Sequence, residues 1–158
     1  MDGKEYGQSM AELRMLGTMY GYYNPSDWKC AYYCDVILDG WVDILDKTNG
    51  IVLSEDSEEK KKETLENVIK NIHIPFLNFM EKQLVECGGP YIAGNKLTIA
   101  DCAMVATLAN IWENPAGPFT ERFKPVLANY PKVQAYNKTL RVAFAARLND
   151  PARKPMPI

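Results

Sequence analysis

The sequence predicts an all-α bundle with a short strand-like stub at its amino end. Three observations lead there. Apolar residues recur at helical spacing through nearly everything after Gln8, as Met10, Leu13, Leu16 and Met19 do in the first stretch. The segment from Cys102 to Ile111 is apolar on almost every side, the pattern of a helix buried at the centre of a bundle. The breaks between stretches fall at Gly, Pro and Asn, residues that punctuate helices rather than extend them.

Each element follows from its own residues. Asp2-Gly3 is a hairpin-turn pair, and Lys4-Glu5-Tyr6 reads as the strand leaving that turn, with its pairing strand expected outside these residues. Gly7-Gln8-Ser9 opens a first helix, Ser9 to about Tyr20, whose initial turn presents free backbone N–H groups. The Gly21–Ser26 stretch, with its Asn24-Pro25 turn signal, is a short linker. Asp27 or Ser26 caps a second, long helix to about Thr48. A third begins near Ser57 with the charged turn Glu58-Glu59-Lys60-Lys61-Lys62-Glu63, a solvated face with i,i+4 pairing, and runs to about Glu86. Pro75 is expected to kink that helix or end its first segment, because it lacks an N–H and clashes with the preceding turn.

Cys87-Gly88-Gly89-Pro90 stops the third helix, and Tyr91 to Lys96 is an irregular crossing. Thr98 then starts the apolar helix. Asn114-Pro115-Ala116-Gly117-Pro118 is a loop, and Thr120 to about Leu127 a short helix. Tyr130-Pro131 opens a last helix to about Leu148, with proline well placed at its first turn. The tail from Asp150 to Ile158 does not continue it.

Composition narrows the function. The 158 residues are 47% apolar and 24% charged, ordinary for a globular protein. A net charge of −2 leaves no electrostatic footprint for nucleic acid. No apolar run approaches the roughly 20 residues of a membrane span, and no secretory signal opens the chain. Cys30, Cys34, Cys87 and Cys102 contain no Cys-x-x-Cys pair, and His73 is the only histidine, so a zinc site lacks ligands at sensible spacing. The thiols read as free in a reducing compartment, and the chain as cytoplasmic.

The strongest local signal is Leu97-Thr98-Ile99-Ala100-Asp101. Thr98 and Asp101 form a reciprocal capping box that satisfies two otherwise orphaned donors, a structural device rather than a chemical one. Asp35, Asp39 and Asp43, with Asp46 continuing the row, line one face of the second helix and suit a cation, whether a side chain or a ligand's ammonium. Gln8-Ser9 at a helix start is suited to a carboxylate but is common on its own. His73, between Ile72 and Ile74, reads as a packed residue rather than a base. No nucleophilic triad, phosphate loop or dinucleotide fingerprint is present.

Taken in this order, these elements resemble the cytosolic glutathione transferase family. The likeness rests on Tyr6-Gly7-Gln8-Ser9-Met10-Ala11-Glu12-Leu13-Arg14 and the long helix with its aspartates. It continues through Gly89-Pro90-Tyr91-Ile92-Ala93-Gly94-Asn95-Lys96-Leu97-Thr98-Ile99-Ala100-Asp101 and Tyr130-Pro131-Lys132-Val133. It covers essentially the whole chain and is nearest the sigma, mu, pi and alpha group, sigma-like above all. That family joins an amino-terminal thioredoxin-like domain, which binds glutathione, to an all-helical domain that supplies most of the electrophile pocket.

The resemblance implies that residues 1–21 are a remnant of the first domain, 22–26 the linker and 27–158 the helical domain. It implies that Gln8 and Ser9 hold the γ-glutamyl end of glutathione, Ser9 by hydroxyl and N–H on the carboxylate. Asp39 would reach across a homodimer to the γ-glutamyl ammonium on the neighbouring subunit. Glutathione is the implied co-substrate, a small apolar electrophile the second substrate, and no metal takes part. The family's thiolate-stabilising tyrosine or serine belongs near the start of the first domain. Tyr6 matches no catalytic position, so no catalytic residue is assigned and the chain alone is expected to be inactive. Glu12 stands where the family often has an apolar residue. The alternatives are a non-catalytic helical dimerisation or assembly module, and a truncated product with exposed apolar surface.

Overall fold

The structure, a computed structural model, describes residues 3–115, 117 and 120–153. Eight α-helices make up the described chain: α1 Ser9–Tyr20, α2 Trp28–Leu53, α3 Glu58–Val68, α4 Ile74–Cys87, α5 Ile99–Thr107, α6 Thr120–Leu127, α7 Pro131–Ala143 and α8 Ala145–Leu148. Two π-helical turns complete it, Ile69–His73 between α3 and α4 and Leu108–Trp112 after α5. The core is built almost wholly from helices, as the periodicity predicts, with Ile92 and Tyr130 joining it from the connections.

The strand-like stub is the first departure. Lys4, Glu5 and Tyr6 are irregular and exposed, and no strand forms among the described residues. A strand satisfies its backbone groups through a neighbour, and none lies alongside. Gly3 keeps the positive φ of 66° that a turn glycine uses, while its turn partner Asp2 lies outside the described residues.

Helix α2 runs five residues beyond the expected end at Thr48, because Thr48 and Ile51 continue its buried face. It starts as expected: the Asp27 carboxylate accepts from Cys30 N–H at 3.1 Å. The Pro75 expectation resolves into a specific geometry. From Glu58 to Cys87 the backbone stays helical, and the π turn Ile69–His73 lies immediately before the proline. The wider turn gives room where the ring would meet the preceding carbonyls, so the helix continues past Pro75 instead of ending. The last helix is interrupted where the pattern predicts continuity: Phe144 leaves helical geometry at φ −106°, ψ 17°, dividing α7 from α8. Ala116 and Pro118 of the predicted loop, and the tail from Lys154 onward, lie outside the described residues.

Helix α5 sits at the centre, packed on α2 and α7, while α4 packs on α7. Ile37, Leu38 and Ile44 of α2, Leu77 and Met80 of α4, and Ile99 and Met104 of α5 are fully or almost fully buried. The two π turns meet in this core. Trp112 Nε1–H donates to His73 Nδ1 at 2.9 Å, which leaves the histidine proton on Nε2, 3.2 Å from Thr48 Oγ1. Phe123 packs on the imidazole at 4.7 Å between centroids. Burial pushes the His73 pKa down to about 4, so the ring is a neutral core member.

Candidate functional site

The site begins where α1 begins. Gln8 holds φ 71° and ψ 93°, and it is the only non-glycine with positive φ among the described residues. Such a conformation costs about 1–3 kcal/mol and persists only where the surroundings fix it. No side chain caps the helix. Gln8 C=O receives Glu12 N–H at 3.0 Å, and Gln8 and Ser9 are both exposed. The result is a strained, exposed corner at a helix N-terminus, an arrangement that favours an anion such as a carboxylate.

Three contacts anchor this corner to the bundle. Gly17 lies so close to Ile99 and Tyr23 that a Cβ there would come within 2.4 Å of Ile99 Cγ2, so only glycine lets α1 approach the start of α5. Ile99 N–H donates to Tyr22 C=O at 3.1 Å, tying the linker to the same place. The third contact is ionic. Arg14 Nε donates to Asp35 Oδ1 at 2.7 Å, and Tyr23 Oη–H donates to Asp35 Oδ2 at 2.9 Å. The Asp35 bond holds the Arg14 guanidinium above its ordinary pKa, against the opposing effect of burial. Burial first, then the Asp35 bond, raises the Tyr23 hydroxyl.

The aspartate row thus divides by partner. Asp35 is half-buried and doubly bonded, whereas Asp39 Oδ1 lies 3.6 Å from an Arg14 terminal nitrogen and its side chain is 78% exposed. Asp43 and Asp46 are exposed, with no ion pair among the described residues. The row does receive a cation, and that cation is Arg14. Its role was not read from the sequence, although a signal was there. Positions 10, 13, 14 and 17 share the inward face of α1, and an arginine among them needs a partner.

The Thr98–Asp101 box forms and proves to be the hub of a larger network. Asp101 is fully buried and accepts four hydrogen bonds: Thr98 N–H at 2.7 Å, Thr98 Oγ–H at 2.9 Å, Ile92 N–H at 3.1 Å and Tyr136 Oη–H at 2.7 Å. It pins the 91–96 crossing, the start of α5 and α7 together. Burial, reinforced by Asp101, drives the Tyr136 hydroxyl well above its usual pKa. With every Asp101 bond spent on tying these segments together, the network is structural.

Cys30, Cys34 and Cys102 offer no activated thiol. Burial raises Cys30 and Cys102 and pushes Cys34 up to about 12. Among the described residues no group of three His, Cys, Asp or Glu side chains is placed to hold a metal ion. No helix described is long and apolar enough to cross a membrane.

Comparison with known proteins gives the chain a family and the fold its relatives. Residues 42–142 match the family profile described as "Glutathione S-transferase, C-terminal domain". The chain is 28% identical over 142 residues to glutathione S-transferase A1 of Mus musculus, covering 86% of this chain and 62% of that protein. It is 30% identical over 136 residues to glutathione S-transferase A of Cavia porcellus, covering 85% of this chain and 57% of the relative. The chain therefore spans about three-fifths of the length of these curated relatives. Among solved structures, prostaglandin synthase D of Nilaparvata lugens superposes with a TM-score of 0.72 at 23% identity, covering 97% of this chain and 73% of that one. A glutathione S-transferase, Blo t 8, gives 0.74 at 20%, covering 95% and 68%. At these identities the structures speak for the fold.

Proposed function

The chain belongs to the glutathione S-transferase family, and on that premise we propose that it serves the transfer of the glutathione thiol to small apolar electrophiles. In this reading residues 1–21 are a remnant of a thioredoxin-like glutathione-binding domain, 22–26 are the linker, and 27–158 form the helical domain. Ser9 holds the γ-glutamyl carboxylate of glutathione through its hydroxyl and backbone N–H, with Gln8 beside it. Asp39 receives the γ-glutamyl ammonium on the partner subunit of a homodimer. Charge-assisted bonds of this kind are worth about 1.5–3 kcal/mol each.

The observation that carries the proposal is Gln8. A positive-φ glutamine whose side chain caps nothing, at an exposed helix start, costs stability, which is the mark of a position kept for a ligand. Tyr6 is exposed and precedes this corner on irregular backbone, and in this reading it takes no part in stabilising a thiolate. The 158 residues are accordingly expected to bind the γ-glutamyl group without accelerating the chemistry.

The test is conjugation of glutathione to an activated aryl halide by the purified chain, run against a buffer blank. The account expects the blank rate from folded protein. Turnover above it would mean that this chain supplies its own thiolate-activating group, and the assignment of chemistry to another domain would fall.

A second reading, a helical association module without chemistry, draws on a specific feature. Leu16, Met19 and Tyr20 of α1 and Trp28 and Tyr32 of α2 are large and exposed. A chain that self-associates through these residues but shows no affinity for glutathione would favour it.

A further inference from the structure

We propose that Asp35 is a positioning residue that holds the Arg14 guanidinium off Asp39, so that the Asp39 carboxylate stays open to an incoming ammonium. The proposal rests on the reading of Asp39 as an ammonium acceptor and adds what keeps it available.

The geometry carries it. Arg14 projects from α1 onto α2 between two carboxylates one helical turn apart. Its Nε is bonded to Asp35 at 2.7 Å, while its terminal nitrogen stops 3.6 Å from Asp39, outside hydrogen-bonding distance. The second Asp35 oxygen is taken by the Tyr23 hydroxyl at 2.9 Å, which fixes the plane of the carboxylate and with it the direction of the guanidinium. An arginine fork has five donors and seeks a bidentate carboxylate partner. If Asp35 loses its charge, the nearest other carboxylate is Asp39, and a shift of less than about 1 Å brings it to the bonding distances of such pairs. Asp39 would then be neutralised by its own chain. Asp35 and Tyr23 therefore act as a paired restraint: one supplies the charge that holds Arg14, the other the orientation.

This mechanism predicts an ordering of variants that loss of packing does not. In the folded 158-residue chain, the exposed carboxylate of Asp39 is labelled by a water-soluble carbodiimide with an amine nucleophile, and the rate at that residue is read by mass spectrometry. Asp35→Asn is expected to slow labelling of Asp39 by about two- to fivefold, the span an exposed ion pair commands. Removing the arginine as well, in Arg14→Gln/Asp35→Asn, restores the wild-type rate. Tyr23→Phe, which keeps every charge, slows labelling in the same direction by a smaller factor and carries the test if Asp35→Asn does not fold. Unchanged or faster labelling of Asp39 in both single variants, or failure of the double variant to restore it, overturns the proposal.

Glutathione affinity separates this idea from the reading beneath it. Asp35→Asn weakens binding of glutathione but not of its analogue lacking the γ-glutamyl amino group, and the double variant recovers it. If the wild-type chain binds glutathione and the analogue equally, Asp39 is not the ammonium acceptor. The labelling order still decides whether Asp35 holds Arg14 away.

Discussion

Helices α5 and α1 begin with similar polar residues, Thr98 in one and Gln8-Ser9 in the other, and end in opposite surroundings. At α5 the polar groups pair inside the protein: Thr98 and Asp101 are buried, and four hydrogen bonds converge on one carboxylate. At α1 the backbone is strained, no side chain caps the turn, and the polar groups face outward. The two starts are held together across Gly17 and Ile99, so the satisfied one supports the unsatisfied one. A buried helix start is a stability device, while an exposed, strained one spends stability on readiness for a ligand.

The comparison breaks most visibly at Asp101. Asp101→Ala strands four donors in the core, and the expected loss exceeds about 3 kcal/mol. For a chain of this size that is roughly a 10 °C fall in thermal midpoint. An unaltered midpoint by calorimetry or circular dichroism would remove the box from its role.

Next in size is a pH effect in the core. Burial lowers folded His73 to about 4, against about 6.5 in the unfolded chain. Between those values the unfolded state binds a proton that the folded state refuses, so stability is full above pH 6.5 and falls as pH falls toward 4. The loss reaches about 3 kcal/mol near pH 4. Urea titrations from pH 7 to 4 should show this slope in the wild type and a flatter one in His73→Gln; parallel slopes would mean the ring is protonated in place.

At the exposed corner the effects reverse in kind. Ser9→Ala should leave stability within about 0.5 kcal/mol, as an exposed surface change does. It should weaken binding of a glutathione conjugate about tenfold or more, the equivalent of one charge-assisted bond. The smallest change is Gln8→Gly. Glycine accepts φ 71° without a Cβ penalty, so the midpoint should rise by about 2–4 °C, worth about 1 kcal/mol. A fall in the midpoint would show that the glutamine side chain contributes more than its backbone costs.

Most of the helical order was legible because apolar spacing reports which face each helix buries. The Ser9 and Asp27 starts, and the Thr98–Asp101 box, follow from residues three or four apart, within reach of local reading. The misses involve distance or context. Whether Lys4 to Tyr6 form a strand depends on a neighbour that no local residue specifies. The π turn before Pro75 ends in His73, whose ring is bonded to Trp112 39 residues away, and propensity alone sees only the proline. Arg14 and Asp35 are 21 positions apart, and only the packing of α1 on α2 reveals them as partners. The corner itself was readable as a helix start, while its strain, which separates a binding corner from an ordinary cap, belongs to the three-dimensional fold.

The most direct test of the account is an equilibrium titration of the chain with S-hexylglutathione, comparing wild type with Ser9→Ala and recording the thermal midpoint of each. The account predicts equal midpoints and an affinity lower by about tenfold or more in the variant. Equal affinities, or no measurable binding by the folded wild-type chain, would contradict the assignment of this corner to the γ-glutamyl carboxylate.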